Sequence, residues 1–315
     1  MDTVRVVFMG SQAPAIPVLV AVRELGWDVV GVYTTPDQPA GRGRRWEPTP
    51  VKRYAQEQGL RLCEPSSLRG EAAAALLRGF APDLVVLAAY GKLLPQAILE
   101  MPPWLCVNVH PSLLPRHRGA SPVAATILAG DTSAGATLFV MNRGLDTGPI
   151  LAQRHAPVYP DDRTPELTER LFVLGAELLR DVLPEYVQGR VSPVPQMEEE
   201  ATVTQRLSKG DGELEWAKSA EELQREVRAY FPWPGSTTRW DGKRLQVLRA
   251  DVELDASQAD PGTVVQLSTK PTVVGVVTAH DTLVLKEVRL EGRPAMEMAD
   301  FLRGHPEFVG VRLPS

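Results

Sequence analysis

The segment Asn108-Val109-His110-Pro111-Ser112-Leu113-Leu114-Pro115 gathers residue types that suit reaction at a carbonyl. Residues 107–110 read as a short strand, and on a strand side chains two apart face the same side. Asn108 and His110 then project together, an amide donor beside an imidazole that titrates near neutrality. Both can hydrogen-bond the oxyanion of a tetrahedral intermediate. A plain structural reading stands beside this one, in which Asn108 caps a turn and His110 is a satisfied strand-end side chain. Asp146 lies in the turn-rich run Arg143-Gly144-Leu145-Asp146-Thr147-Gly148-Pro149. An Asp there is first of all a turn former; as a chemical group it orients an imidazole or helps move a proton. Spacing alone does not bring it to His110.

Other constellations carry less chemistry. Pro36-Asp37-Gln38-Pro39-Ala40-Gly41-Arg42-Gly43-Arg44-Arg45-Trp46 is broken repeatedly by Pro and Gly and is expected as a loop. With Lys52 and Arg53, its arginines Arg42, Arg44 and Arg45 form the one clear concentration of positive charge. Such a loop grips phosphates and stacks an aromatic on a base, or is simply solvated; its length without regular structure favours function. Gly10-Ser11 after the first strand is read as geometric rather than as an anion cradle. Gly41-Arg42-Gly43 lacks the context of a dinucleotide fingerprint, and GxxxxGK[ST] does not occur. Ser112 has no nucleophile-elbow pattern around it. His117, His155, His280 and His305 are scattered without metal-ligand spacing, so no metal is expected.

The elements that must position these residues alternate through the first half. Strand-like runs at 4–9, 29–34, 61–63, 84–89 and 107–110 are separated by helical patterns at about 15–25, 52–58 and 71–78. Continuous apolar strands of this kind belong in a sheet covered on both faces. The expected class is α/β, a Rossmann-like, doubly wound, mostly parallel sheet, whose carboxyl ends are where ligands bind. Residues 136–141 and 150–158 are joined too closely for a crossover helix, so they are expected to pair antiparallel. A long helix follows over 164–188, closed by Gly189. The Pro-rich, charged stretch 189–206 reads as a linker. Beyond it come an amphipathic helix at 220–230 and five short strands, two of them flanking Asp241-Gly242, a hairpin signal. A small C-terminal β-barrel is expected, OB-like, with the oligonucleotide-binding type as one candidate. The implied division is 1–188, a linker 189–206, and 207–315.

Bulk properties bound the answer. A chain of 315 residues exceeds one ordinary core and fits two domains. Apolar content of 43% and charged content of 23% are those of a soluble globular protein. The amino terminus runs straight into a strand pattern without a signal-peptide profile. The longest apolar run, 84–90, is too short to span a bilayer, so a cytoplasmic protein without a membrane association is expected. Cys63 and Cys106 read as buried free thiols. The net charge of −5 argues against general nucleic-acid affinity, yet not against a local basic track.

Taken together, the Asn108–Pro115 octet, Arg118-Gly119 and Asp146-Thr147-Gly148 resemble the formyltetrahydrofolate-dependent formyltransferases. The likeness extends to Phe8-Met9-Gly10-Ser11, to residues 36–43, to Ala89-Tyr90-Gly91, and to residues 228–235, which include Pro232-Trp233-Pro234-Gly235. The basic loop and the Pro-Trp-Pro-Gly run narrow it to the tRNA-acting branch. The resemblance implies that Asn108, His110 and Asp146 are catalytic. It implies that 10-formyltetrahydrofolate lies along Ala89, Tyr90 and Gly91 and near Ser112, Leu113, Leu114 and Pro115. It further implies that Arg42, Arg44, Arg45 and Lys52 meet initiator methionyl-tRNA, that the C-terminal barrel holds the acceptor arm, and that a monomer works without a metal. Where the family usually has Pro, an acidic residue and Phe after Gly10-Ser11, this chain has Gln12, Ala13 and Pro14. The competing readings are an amino-sugar-nucleotide formyltransferase, a folate hydrolase, a glycinamide formyltransferase and a non-catalytic nucleic-acid binder.

Overall fold

The computed structural model describes residues 3–40, 45–254, 259–269 and 272–315. Arg42 and Arg44 therefore lie outside the described residues, and Arg45 is described for its backbone alone. The chain forms two compact units. The first comprises Met1–Pro122, Ser133–Pro157 and Thr168–Thr204; the second comprises Val123–Thr132, Val158–Leu167 and Gln205–Ser315. Segments 123–132 and 158–167 thus belong to the second unit, while most of the Pro-rich stretch, 189–204, belongs to the first.

The first unit begins with β1 (Arg5–Met9), α1 (Ile16–Glu24) and β2 (Asp28–Tyr33). Residues 38–40 and 45–47 are not plain loop as expected but pair as a two-stranded ribbon, β3 (Gln38–Ala40) and β4 (Arg45–Glu47), which leads into α2 (Pro50–Glu57) and β5 (Leu62–Cys63). Then come α3 (Glu71–Arg78), β6 (Leu84–Leu87), α4 (Gln96–Leu99), β7 (Cys106–His110) and β8 (Arg118–Gly119). After α5 (Pro122–Leu128), which from Val123 belongs to the second unit, follow β9 (Ser133–Val140), β10 (Ile150–Pro157), α6 (Thr164–Tyr186), which belongs to the first unit from Thr168, and β11 (Val203–Thr204). The main sheet has the order β10-β9-β7-β6-β1-β2-β5. Strands β7, β6, β1, β2 and β5 are parallel, while β9 pairs antiparallel with both β7 and β10, as the short 142–149 connection requires.

Alternate residues of the central strands supply two separate cores, which is why these strands are apolar throughout. Val6 and Phe8 of β1, Val86 of β6 and Val107 and Val109 of β7 pack under α1, α2 and α6. Val7 and Met9, Val85 and Leu87, and Cys106 pack on the opposite face with Leu77, Phe80, Ile98 and Leu99. Cys63 and Cys106 are free thiols, the second buried. Gly175 lets α6 approach β7, since a Cβ there would strike the Val109 side chain.

In the second unit, α7 (Ala220–Ala229) opens with a capping box, Ser219 and Glu222 each satisfying the other's backbone nitrogen. It packs on an antiparallel sheet of β12 (Ser236–Trp240), β13 (Lys243–Glu253), β14 (Val264–Thr269), β15 (Thr272–Val277), β16 (Thr282–Leu290) and β17 (Met296–Glu297). Asp241 and Gly242 both take positive φ, 49° and 67°, the turn that matches strand twist in a tight hairpin. Leu223 and Val227 join Leu245, Val247, Leu283, Val288 and Phe301 of α8 (Met298–Gly304) in this unit's core.

Candidate active site

Asn108 and His110 sit at the carboxyl end of β7 on the sheet face that Cys106 shares. Asn108 is half-buried, and its amide has no hydrogen-bond partner among the described residues. His110 is 5% exposed. Its Nε2 lies 3.1 Å from the His117 carbonyl oxygen. A carbonyl only accepts, so Nε2 carries the hydrogen and the neutral ring keeps its lone pair on Nδ1. That Nδ1 faces Asp146 Oδ2 at 3.8 Å, and the same oxygen accepts the Gly119 N–H at 2.8 Å. Burial pushes the imidazole below its ordinary pKa of 6.5; the Asp146 carboxylate and the bond to the His117 carbonyl oppose the shift without cancelling it. His110 therefore rests neutral at neutral pH.

Asp146 reaches this place from a loop fixed on several sides. Its φ is 54°, a left-handed conformation that Asp tolerates better than most residues. Asn142 Oδ1 accepts from Gly144 N at 3.0 Å and from Thr147 Oγ1 at 2.8 Å. Gly148 passes so close to the Val140 carbonyl that a Cβ would overlap it. Gln196 Nε2 donates to the carbonyls of Asp146 and Gly148 at 2.8 and 2.7 Å. Gln196 Oε1 accepts from Arg118, a guanidinium only 4% exposed that also grips Glu198. Strands β8 and β11 pair in parallel, and His117 N donates to Thr202 Oγ1 at 2.8 Å. Residues 196–204 thus form one wall of the site.

The residues assigned to the formyl donor divide by what they present. Ala89 has φ 43° and offers its carbonyl to Ser11 N at 3.1 Å. The Tyr90 carbonyl accepts from Ser11 Oγ at 3.2 Å, while its ring is buried in the core and burial pushes its phenol up to about 12. With its ring in the core, Tyr90 leaves only its backbone to meet a ligand. Gly91 is exposed. The Ser112 hydroxyl is committed to the Arg116 carbonyl at 2.7 Å. Leu114 N donates to Thr137 Oγ1, and Gln153 donates to the Leu114 carbonyl, so the 112–115 turn is rigidly held. Leu113 is half-buried, and Leu114 and Pro115 are buried.

The basic loop is rooted beside these residues. Thr34 Oγ1 and Thr49 Oγ1 are 2.6 Å apart, and Thr35 N donates to Ser11 Oγ at 3.1 Å. Lys52 bridges Asp37 and Glu64 at 2.7 and 2.8 Å with only 15% of its side chain exposed. Those hydrogen bonds raise its pKa, so its charge is held within the protein. Trp46 is 71% exposed.

The sequence reading missed Gln196, Thr137 and Gln153. Thr137 leaves a trace as a polar residue inside an apolar strand; Gln196 leaves none, lying in a stretch without periodicity. Among the described residues no group of three or more His, Cys, Asp or Glu is placed to hold a metal, and no helix is long and apolar enough to cross a membrane.

A polar pair at the end of a buried parallel strand, a carboxylate brought to it by a separate loop, and a second antiparallel unit define the class. The formyl transferase family profile matches residues 4–183, and that of the formyl transferase C-terminal domain matches residues 206–306. The chain belongs to the formyl transferase family, and its chemistry is formyl transfer. It is 44% identical over 305 residues to the methionyl-tRNA formyltransferase of Myxococcus xanthus (strain DK1622), covering 97% of this chain and 96% of that one. Solved structures share the fold. The methionyl-tRNA formyltransferase from Clostridium thermocellum superposes with a TM-score of 0.54 at 17% identity, covering 87% of this chain and 99% of the other. An N-formyltransferase from Helicobacter canadensis, in complex with folinic acid and dTDP-3-aminofucose, gives 0.64 at 13% identity, covering 90% and 99%.

Proposed function

We propose that the chain moves the formyl group of 10-formyltetrahydrofolate to the α-amine of initiator methionyl-tRNA, with Asn108, His110 and Asp146 as the reacting-centre residues. The observation that carries the mechanism is the Nδ1 of His110 facing Asp146 Oδ2, with an Asn108 amide that has no partner among the described residues on the same strand face. The acceptor is supported by the 44% identity to the Myxococcus xanthus relative across nearly the whole chain.

The α-amine attacks the formyl carbon, and the carbonyl electrons move onto oxygen. The Asn108 amide donates to that oxygen. The amine proton passes to the Nδ1 lone pair of His110; the imidazolium so formed donates from Nδ1 to the oxyanion and is stabilised by Asp146. On collapse the same proton leaves with the departing folate nitrogen, and neutral His110 is restored. No covalent enzyme intermediate is needed, and fixing two substrates together supplies much of the acceleration.

The formyl donor lies along the backbone of Ala89, Tyr90 and Gly91 and the 112–115 turn. Arg42, Arg44 and Arg45 meet the acceptor end of the tRNA, and Lys52 serves them by anchoring the loop. The C-terminal portion, residues 207–315, holds the acceptor arm, and residues 1–188 carry the reacting centre. The enzyme acts in the cytoplasm as a monomer without a metal. Replacing Asn108, His110 or Asp146 by Ala is expected to lower turnover about a hundredfold or more, with donor affinity little changed. Near-normal turnover in His110→Ala would remove His110 from the mechanism.

A further inference from the structure

Gln196 lies in a stretch that reads as a connection between domains, yet its side chain makes four hydrogen bonds at the wall of the site. A primary amide has two N–H donors and two acceptor lone pairs, so its capacity is used completely. The donated pair, to the carbonyls of Asp146 and Gly148, straddles the turn that carries the Asp146 carboxylate. The accepted pair ends on Arg118, which is buried and held in turn by Glu198. Being neutral, Gln196 fixes both carbonyls without adding a charge beside Asp146.

We infer that Gln196 is a positioning residue for formyl transfer: through the Asp146 and Gly148 carbonyls it sets where the Asp146 carboxylate stands relative to His110 Nδ1. Residues 196–204 are then part of the catalytic wall. Glu in this position accepts from Arg118 as Gln does, but it donates nothing to the two carbonyls and repels them. It separates the tie to Arg118 from the grip on the Asp146 loop.

The inference rests on the role proposed for Asp146, so Gln196→Glu and Gln196→Ala are assayed beside Asp146→Asn. Steady-state formyl transfer is followed from pH 5 to 8 with 10-formyltetrahydrofolate and charged initiator tRNA. Gln196→Glu is expected to melt like the parent, because Arg118 keeps its partner. Its kcat falls about tenfold to a hundredfold, the scale of a misplaced catalytic group, while KM for the formyl donor is unchanged. The low-pH limb of its rate profile moves to lower pH, since the Asp146 charge that supports the His110 imidazolium stands further off. Gln196→Ala carries the same kinetic expectation but melts lower, because it also takes an acceptor from buried Arg118; failure of one variant to fold leaves the other decisive. Parental kcat and an unmoved limb with Asp146→Asn impaired overturn the inference alone. So does a loss of rate that only tracks loss of folded protein. Parental turnover in Asp146→Asn overturns the reading beneath it, and the inference with it.

Discussion

Asp146 Oδ2 stands 3.8 Å from His110 Nδ1 and 2.8 Å from the Gly119 backbone nitrogen. The short contact fixes the carboxylate; the long one leaves the imidazole without a hydrogen bond at Nδ1. That gap fits a neutral ring whose Nδ1 holds a lone pair. Protonation there puts a cationic ring beside the Asp146 anion, an electrostatic pairing that exists only after the proton has moved and that leaves the Nδ1 hydrogen for the oxyanion.

The pH dependence follows from burial. His110 is held below 6.5 chiefly by desolvation, with Asp146 opposing. A folded state that prefers the neutral ring binds fewer protons than the unfolded chain between the folded midpoint and about 6.5. This contribution to stability is therefore complete above about 6.5 and is lost as pH falls towards the folded midpoint. NMR titration of the ring should give a midpoint below 6.5, and Asp146→Asn should lower it further. A midpoint above 6.5 contradicts this.

Gly148 has no room for a side chain, because the obstacle is the Val140 backbone carbonyl rather than a flexible group. Gly148→Ala should cost about 1–3 kcal/mol in urea unfolding, the range for forced overpacking. Turnover should fall about tenfold or more through displacement of the Asp146 loop. Full activity in this variant is the outcome that does not fit.

Thr49 caps α2 through its bond to Lys52 N at 3.1 Å and ties the loop root to Thr34. Thr49→Val keeps the shape and removes both bonds. It should cost about 1 kcal/mol of stability and raise KM for charged tRNA while leaving that for the formyl donor. Equal changes in both constants would separate the loop root from the acceptor.

Glu226 is buried, its Oε1 2.7 Å from Lys218 Nζ and its Oε2 without a partner among the described residues. Burial raises its pKa despite Lys218. Lys218→Met strands the carboxylate and should cost about 2 kcal/mol at pH 7, below the usual penalty because Lys218 is a third exposed. The cost should shrink as pH falls below the raised Glu226 pKa, where the acid is neutral. A loss independent of pH would point instead to the lysine stem.

Much of this was legible in residue types and spacing. The apolar strands at 84–89 and 107–110 announced a two-sided sheet, and a strand period of two joined Asn108 to His110. The 142–149 connection was too short for a helix, which set the antiparallel β9–β10 pair. Asp146 was different. It lies 36 positions beyond His110 in the chain, and only the resemblance tied the two together. Gln196 was hidden for a stronger reason, since a lone amide in an aperiodic Pro-rich stretch carries no pattern. Lys52 shows the opposite limit: its type suggests a phosphate contact, while in the fold it lies between Asp37 and Glu64, which are distant from it in sequence.

The most direct test is transfer of a labelled formyl group from 10-formyltetrahydrofolate, offered together with charged initiator tRNA and an amino-sugar nucleotide. Label is expected on the methionyl α-amine and none on the sugar or on uncharged tRNA, with transfer lost in His110→Ala. Label on the sugar, or undiminished transfer by His110→Ala, would contradict the proposed function.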